Sequence, residues 1–257
     1  MQLMKITILC CLSILINKAV YSQNPQMVHE GEIDFEMRVN NYAILSAYYE
    51  NDKLMPGKQQ FAQQYKATKP QFGISNFTLS FNDGYSIYAH DNTAKIPDVS
   101  LIIIRNIVYS DLKKHVSISK KNIIDDQFLV SDSTRKIQWK ITNETKEIAG
   151  FNCRRANAVI MDSVYVVAFY TDQIVPRSGP ESFTGLPGMI LGVALPHEHI
   201  TWFATRVINR QVFDGDIKPP SGGKKINNSE LLKTLLDNQL LKMDMLTRPL
   251  FLHTYIF

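Results

Sequence analysis

A strict alternation of apolar and charged residues that begins after Gly31 constrains the fold more than any other feature of the chain. Ile33, Phe35, Met37 and Val39 occupy every second position, and each residue between them is charged. Successive side chains of a β-strand point to opposite faces, so this period of two predicts a half-buried strand and is incompatible with a helix.

Similar short runs recur through the next 170 residues. Asn82-Asp83-Gly84 separates two alternating runs and predicts a hairpin, because these residues tolerate the backbone angles of a tight turn. Further strands are predicted at 101–104, 107–109, 127–130, 136–142, 153–161, 164–171, 189–194 and 200–208. Only a short helix, over 59–66, is expected among them. The sequence therefore predicts a mainly β protein with a strongly curved antiparallel sheet, half-barrel or open barrel-like, and a few helices.

The C-terminal part of the chain has a different pattern. Residues 214–226 have the Pro, Gly and Lys content of a linker, and Asn227 with Glu230 three positions later resembles a capping box. The leucines that follow recur at helical spacing. We therefore expect an antiparallel β domain over 23–213, and a helix and apolar tail over 227–257 that pack on it. A helix that docks a partner is the alternative.

The first 22 residues predict a cleaved signal peptide. Lys5 precedes an apolar run over 6–16, which is too short to span a bilayer, and small Ser22 lies where a signal peptidase would cut. The mature chain would then be exported, to the periplasm, the outer membrane or the exterior, with no transmembrane span. Its 26 basic and 24 acidic residues are spread along the chain, which argues against a nucleic-acid partner.

Cleavage would leave Cys153 as the single cysteine of the mature chain. One thiol cannot close an internal disulfide, so stability has to come from the apolar core. Arg154 and Arg155 follow the cysteine and favour a reactive thiolate, whereas a lone cysteine in a strand is typical of a buried apolar residue. The second interpretation is preferred.

Residues 144–193 resemble the signature of the GLPGLI family, an exported family known chiefly from Bacteroidota and named for its motif. The motif reads Gly185-Leu186-Pro187-Gly188-Met189-Ile190 here, with Met189 in place of the family's leucine. Phe151 and Arg154 flank the cysteine where the family usually has Tyr and Lys, and Phe169 replaces its usual tryptophan. The resemblance implies export and a β fold, and it implies no particular reaction.

The motif and the loop before it supply the candidate binding residues. Leu186, Pro187 and Gly188 fit a type II turn, with Pro fixing φ and Gly providing positive φ, so a structural role and a binding role both remain open. Arg177 and Glu181 are the charged residues of the preceding loop. Loops on rigid scaffolds often carry binding residues, so all five are predicted binding candidates.

His197-Glu198-His199 is the one local pattern with the character of a metal site. On a strand, residues two apart share a face, so His197 and His199 could bind one metal ion, with a third ligand that the sequence does not identify. The alternative is a solvated turn. No other cofactor is expected, because phosphate-binding, dinucleotide-binding and nucleophile motifs are missing from the sequence.

Two classes of function follow. The first is a non-catalytic binding, carrier or assembly module of the cell envelope, for an apolar ligand, a peptide or an envelope partner. The second is a metal-dependent envelope enzyme that uses His197 and His199. The sequence favours the first class, because aromatic-rich alternating strands occur without a recognisable catalytic constellation.

Overall fold

The structure is a computed structural model that describes residues 27–50, 56–91, 101–102, 104–123 and 126–237. The predicted signal peptide, residues 1–22, and the predicted apolar tail beyond 237 lie outside the described residues. Within the described ranges, no helix is long and apolar enough to cross a membrane.

The described chain contains twelve strands and three α-helices. The strands are β1 (Gly31–Asn40), β2 (Phe72–Phe81), β3 (Tyr85–His90), β4 (Ile107–Asp111), β5 (Val116–Ile123), β6 (Asp126–Ser133), β7 (Lys140–Ile148), β8 (Phe151–Ile160), β9 (Val164–Thr171), β10 (Met189–Leu195), β11 (Ile200–Ile208) and β12 (Lys224–Ile226). The helices are α1 (Asn41–Leu45), which continues into a π-helical segment (Ser46–Glu50), α2 (Pro56–Thr68) and α3 (Asn228–Asp237).

All twelve strands form one sheet, in the order β12-β6-β5-β4-β3-β2-β1-β11-β10-β9-β8-β7. β1 lies near the middle, and the strands on each side of it form an antiparallel meander. The short β12 pairs with β6 in parallel and is the exception to the antiparallel pattern. The predicted class, a mainly β protein with an antiparallel sheet and a helix near the C-terminal end, is therefore confirmed.

The connection between β6 and β7 requires this sheet to curve strongly. β6 is second from one edge and β7 forms the other edge, ten strand spacings away. In a flat sheet those spacings would amount to about 48 Å. Residues 134–139 join the two strands, and the seven backbone steps from 133 to 140 reach roughly 27 Å at most. The sheet must therefore roll until its two edges approach, and the gap between them is called the seam. Residues 134–139, which cross this gap, are called the seam crossing.

The concave side of the rolled sheet holds the main core. The inward side chains of β1, namely Ile33, Phe35, Met37 and Val39, are all at most 1% exposed. They belong to an apolar cluster to which both meanders contribute. Burial of each such side chain stabilises the fold by about 1.5–3 kcal/mol, so β1 joins the two halves of the sheet through packing as well as hydrogen bonds.

Several local predictions hold at the level of hydrogen bonds. The Asn82 side chain accepts the N–H groups of Gly84 and Tyr85, at 2.9 Å each, and closes the predicted β2–β3 hairpin. At the start of α3, the Asn227 side chain accepts the Glu230 N–H and the Glu230 carboxylate accepts the Asn227 N–H, again at 2.9 Å. These reciprocal bonds are the predicted capping box.

Other boundaries differ from the predictions. Leu101, Ile102 and Ile104 lie outside the strands, because the apolar side chains of Ile102 and Ile104 are buried against the core without sheet pairing. Residues 136–139, predicted as part of a strand, belong to the seam crossing, and the strand runs over Lys140–Ile148 instead. β5 was not predicted, because its inward face carries Ser119 and Lys121 where an apolar residue would be expected.

The segment predicted as a linker, 214–226, packs against the sheet. Ile217 is 3% exposed, and the last three residues of the segment form β12 on β6. α3 then places Leu231 and Leu235 against Ile123, Phe128 and Val130. Residues 228–237 therefore pack on the sheet through one face of α3.

The Leu186–Met189 turn is tighter than the predicted type II turn. The Gly188 N–H donates to the Leu186 carbonyl at 2.9 Å, which is the i to i+2 bond of a γ-turn around Pro187. Gly188 has the expected positive φ, at 142°. A Cβ atom at this position would lie 2.1 Å from the Thr171 carbonyl oxygen, so glycine is required by close backbone approach as well as by conformation.

We expect Gly188→Ala to destabilise the protein by about 3 kcal/mol or more, because backbone must move to relieve the clash with Thr171. Gly150→Ala is the matched control, since Gly150 also has positive φ (84°) but has open space where a Cβ atom would lie. Its cost should be about 1–2 kcal/mol. Equal losses in urea unfolding of the two variants would contradict the close-approach explanation.

We expect the Cys153 thiol to react with Ellman's reagent only after unfolding. The residue is fully buried, and burial raises the pKa of its thiol to about 12, so almost no thiolate forms near neutral pH. The measurement is the reaction rate against urea concentration. A fast reaction in native buffer would show that β8 is not buried as described.

Candidate functional site

An open groove lies over the seam and is the first part of the candidate site. Residues 132–136, at the end of β6 and in the seam crossing, form one wall. Met161 of the β8–β9 turn and Asn228, Ser229 and Leu232 of α3 complete it. Its volume is about 510 Å³, and we call it the seam groove.

A smaller cavity, the inner recess, adjoins the seam groove toward the sheet interior. Ser117, Ser119 and Lys121 of β5 line it together with Arg135 of the seam crossing and Ser182 of the loop before β10. Arg135 and three further residues line both spaces, so the recess opens beside the groove. The recess has a volume of about 20 Å³.

A third space, the Glu181 cavity, lies deeper still. It is lined by Arg135, Ser178, Glu181 and Ser182, among others, and its volume is also about 20 Å³. A cavity needs about 10–15 Å³ to hold one water molecule. The two inner spaces therefore accommodate one or two water-sized groups each, whereas the seam groove has the size of a ligand site.

Buried charges dominate this chain of cavities. Lys121 is 2% exposed and Glu181 is 3% exposed. Burial raises the pKa of Glu181, and the nearby positive charge of Lys121 partly offsets that rise. Burial lowers the pKa of Lys121, the charge of Glu181 opposes that effect, and the charge of Arg135 adds to it. Burial also lowers the pKa of Arg135, so two partly desolvated cations lie beside the recess.

Glu181 is held in an uncommon conformation. Its φ is +51°, in the left-handed region that non-glycine residues rarely adopt. Its Oε2 accepts a hydrogen bond from Asn106 Nδ2 at 2.9 Å, and Oε1 has no partner among the described residues. Strain and a missing partner at one buried carboxylate are unusual, and such features concentrate at functional sites.

The loop between β9 and β10 carries Glu181 into the sheet interior, and several bonds fix the loop there. Ser178 shares a hydrogen bond with Ser86 of β3 (Oγ to Oγ, 2.8 Å), and its carbonyl accepts the Ile190 N–H at 2.8 Å. Trp139 of the seam crossing donates its indole N–H to the Thr184 carbonyl at 2.9 Å. The loop is therefore a plug that is bonded to both the sheet and the seam crossing.

The predicted binding residues separate into two groups. Glu181, Leu186 and Gly188 are buried, and of these Glu181 lines a described cavity. Arg177 and Pro187 are exposed, and neither lines the seam groove. The structure thus places Glu181 within the candidate site and does not bring the five residues together, and their role in binding stays a prediction.

His197 and His199 lie in the turn between β10 and β11. His197 is exposed, 6.5 Å from the Tyr165 ring between centroids, and His199 is half-buried with φ 59°. Burial lowers the pKa of His199, and Glu198 partly opposes this effect. No group of three His, Cys, Asp or Glu residues in the described ranges is arranged to hold a metal ion. The two-histidine metal site stays a prediction.

Two residues that matter here, Lys121 and Arg135, were missed by reasoning from the sequence. Lys121 lies two residues before apolar Ile123 and two after Ser119. Because residues two apart in a strand share a face, this spacing could have shown that Lys121 points inward with Ile123. Arg135 lies in a connecting segment without periodicity. Its position depends on the rolling of the sheet, which local sequence does not encode.

A second surface groove, of about 540 Å³, lies at the β2–β3 hairpin. His29 Nδ1 is 3.0 Å from an Asp83 carboxylate oxygen there, and exposed Phe213 forms part of the wall. This groove shares no lining residue with the inner recess or the Glu181 cavity. It is therefore a separate surface feature without access to the buried charges.

Comparisons with known proteins support the fold more than any function. Solved structures titled "Structure of PNGF-II in C2 space group" and "Structure of PNGF-II in P21 space group" each align with a TM-score of 0.51, at 13% and 14% identity. The aligned region covers 81% of this chain and about a third of those chains, 33% and 34%. At this identity the similarity concerns the fold alone. No curated protein matches the chain.

One family profile matches part of the chain. Residues 158–192 match a family described as "Protein of unknown function (Porph_ging)", and the matched stretch includes β9, the plug loop and the Gly185–Ile190 motif. The match is consistent with the GLPGLI resemblance, which it does not establish. The matched residues therefore contain β9, the plug loop with Glu181 and the start of β10.

Proposed function

We propose that this chain is an exported cell-envelope protein that binds a peptide segment of an envelope partner in the seam groove and carries out no chemistry itself. The observation that carries this proposal is the seam groove, an open site of about 510 Å³ beside buried cations. Its walls combine apolar Met161 and Leu232 with polar and charged side chains of the seam crossing. Ligand sites commonly combine an apolar lining with a few polar groups in this way.

The size of the inner spaces favours a peptide over a lipid. The inner recess and the Glu181 cavity hold only water-sized groups, and the plug loop with its buried Phe183 and Leu186 fills the concave side of the sheet. Neither of these two inner spaces has room for an acyl chain. A peptide lying along an open groove needs no enclosed cavity.

The proposal of export is supported by the sequence. The basic residue, short apolar run and small residue at the start are typical of a secretory signal, and the GLPGLI resemblance implies the same compartment. The periplasm, the outer-membrane surface and the exterior all remain compatible with this proposal.

We expect Leu232→Asp to abolish retention of the ligand in protein purified from the envelope, measured by native mass spectrometry. Leu232 lines the groove, and a carboxylate there would have to be desolvated by the bound peptide. Leu236→Asp is the matched control: it lies one turn later on α3, with exposure of 37% against 39%, and it does not line the groove.

A bound peptide retained by wild type and Leu236→Asp but lost from Leu232→Asp is the expected outcome. Equal retention by all three proteins would show that the groove is not the site. Metal analysis of the same samples tests the alternative enzyme class. Stoichiometric metal that is lost from the double variant His197→Ala/His199→Ala would overturn the non-catalytic proposal.

If Glu181 and Lys121 hold the plug rather than perform chemistry, they should be coupled in stability. We expect Glu181→Gln to cost about 3 kcal/mol, because it leaves a buried cation with weakened compensation. In Glu181→Gln/Lys121→Met the total cost should be smaller than the sum of the single costs by at least about 1 kcal/mol. Urea unfolding of the four proteins measures this coupling. Additive losses would show that the two side chains act independently.

A further inference from the structure

We propose that the Glu181 cavity binds one water molecule, which donates a hydrogen bond to Glu181 Oε1 and connects the plug loop to β4 and β5. The site lies in the interior of the rolled sheet and needs no ligand in the seam groove. Three observations support it: a row of serines beneath the plug loop, a polar cavity of matching volume, and a buried carboxylate oxygen that needs a donor.

The row of serines crosses three neighbouring strands. Ser86 of β3 pairs with Ser110 of β4, and Ser110 pairs with Ser117 of β5. Residues that lie directly opposite each other in antiparallel strands share a face of the sheet. Ser86 is 1% exposed, and its Oγ lies 2.8 Å from the Oγ of Ser178 in the plug loop. The row therefore faces the plug loop and offers it hydroxyl groups instead of apolar side chains.

The Glu181 cavity lies between this row and the plug loop. Ser110 and Ser117 line it from the sheet, and Ser178, Glu181 and Ser182 line it from the loop. Six of its nine lining residues are serine or threonine, so the surroundings are polar. Its volume of about 20 Å³ exceeds the roughly 10–15 Å³ that one water molecule needs and leaves no room for a larger ligand. Polar cavities of this size hold water, whereas empty cavities are apolar.

Glu181 provides the acceptor that fixes the water molecule. Its side chain is buried, Oε2 accepts a hydrogen bond from Asn106, and Oε1 has no partner among the described residues. Leaving a buried acceptor without a donor is unfavourable, so a molecule that the chain does not supply should satisfy it. Burial raises the pKa of Glu181, which brings its protonated form closer to neutral pH. Water suits both forms, because it donates to a carboxylate and accepts from a carboxylic acid.

The charges around the cavity favour a neutral occupant. Arg135 lines the cavity and the positive charge of Lys121 acts on Glu181, so a further cation would be repelled. An anion would instead lie against the Glu181 carboxylate. A neutral molecule with both donors and acceptors avoids both repulsions, and at this volume that molecule is water.

The inner recess gives solvent a route to this site. It shares Ser117, Arg135 and Ser182 with the Glu181 cavity, and it opens beside the seam groove. A water molecule can therefore enter without unfolding of the plug loop. Once bound, it would hold the loop to β4 and β5 next to the direct bond between Ser86 and Ser178.

The test counts long-lived internal water molecules in the mature chain by oxygen-17 magnetic relaxation dispersion. Ser110→Val fills the Glu181 cavity, and Ser110 lines neither the inner recess nor the seam groove. We expect this variant to contain one long-lived water molecule fewer than wild type. Ser131→Val is the matched control, because Ser131 is exposed on β6 and lines none of these spaces, and its count should equal that of wild type. An unchanged count in Ser110→Val, or the same loss in both variants, would overturn the proposal.

Urea unfolding of the same proteins gives an independent measurement. A valine that displaces the water molecule leaves Oε1 without a donor, so the urea midpoint of Ser110→Val should fall below that of Ser131→Val. In a cavity without water, the added methyl groups would fill empty space and the midpoint would rise instead, which contradicts the proposal. Ser110→Thr, which keeps the hydroxyl group and adds one methyl group, replaces the valine variant if that protein does not fold.

Discussion

The short connection between β6 and β7 is the constraint on which the rest of the structure depends. Six residues join strands that lie ten positions apart in a twelve-stranded sheet, so the sheet has to roll until its edges approach. This closure makes the inward faces of the two meanders into one core and creates the seam. The seam groove, the inner recess and the position of Arg135 all follow from it.

The interior created in this way is divided by polarity. Around β1 and β11 it is apolar, with Phe35 and Trp202 essentially unexposed. Beside β5 it is polar, because Ser119 and Lys121 are buried there and the plug loop buries Ser178 and Glu181 on the same side of the sheet. Burying the opposite charges of Lys121 and Glu181 is a costly way to fill space compared with apolar packing. Two such charges beside a surface groove are the strongest structural reason to look for a ligand there.

The sequence predicted those elements whose signals are local. The alternation in β1, the Asn82 hairpin and the Asn227–Glu230 capping box are all present, because each depends on side chains within a few residues of one another. β5 escaped prediction because its buried face is polar, which inverts the usual pattern. Residues 214–226 resembled a linker because β12 is only three residues long and gains its stability from pairing with β6.

The candidate site was predicted only in part, for the same reason. Glu181 was singled out as a charge in a loop between two strong strands, and the structure buries it at the centre of the polar interior. Lys121 and Arg135, 60 and 46 positions earlier, could not be assigned to it from sequence spacing. Charges that are distant in sequence interact only after the sheet has rolled, and nothing in a linear pattern reports that contact.

The amino-acid sequence by itself determined the class of this protein, a curved antiparallel sheet, because strand periodicity and turn chemistry are properties of neighbouring residues. Tertiary structure alone decided which strands meet at the seam, that the loop before β10 turns inward, and that two cations face one recess. These features depend on the free energy of closing the whole sheet. That free energy is shared among residues far apart in the chain, and no single segment carries it.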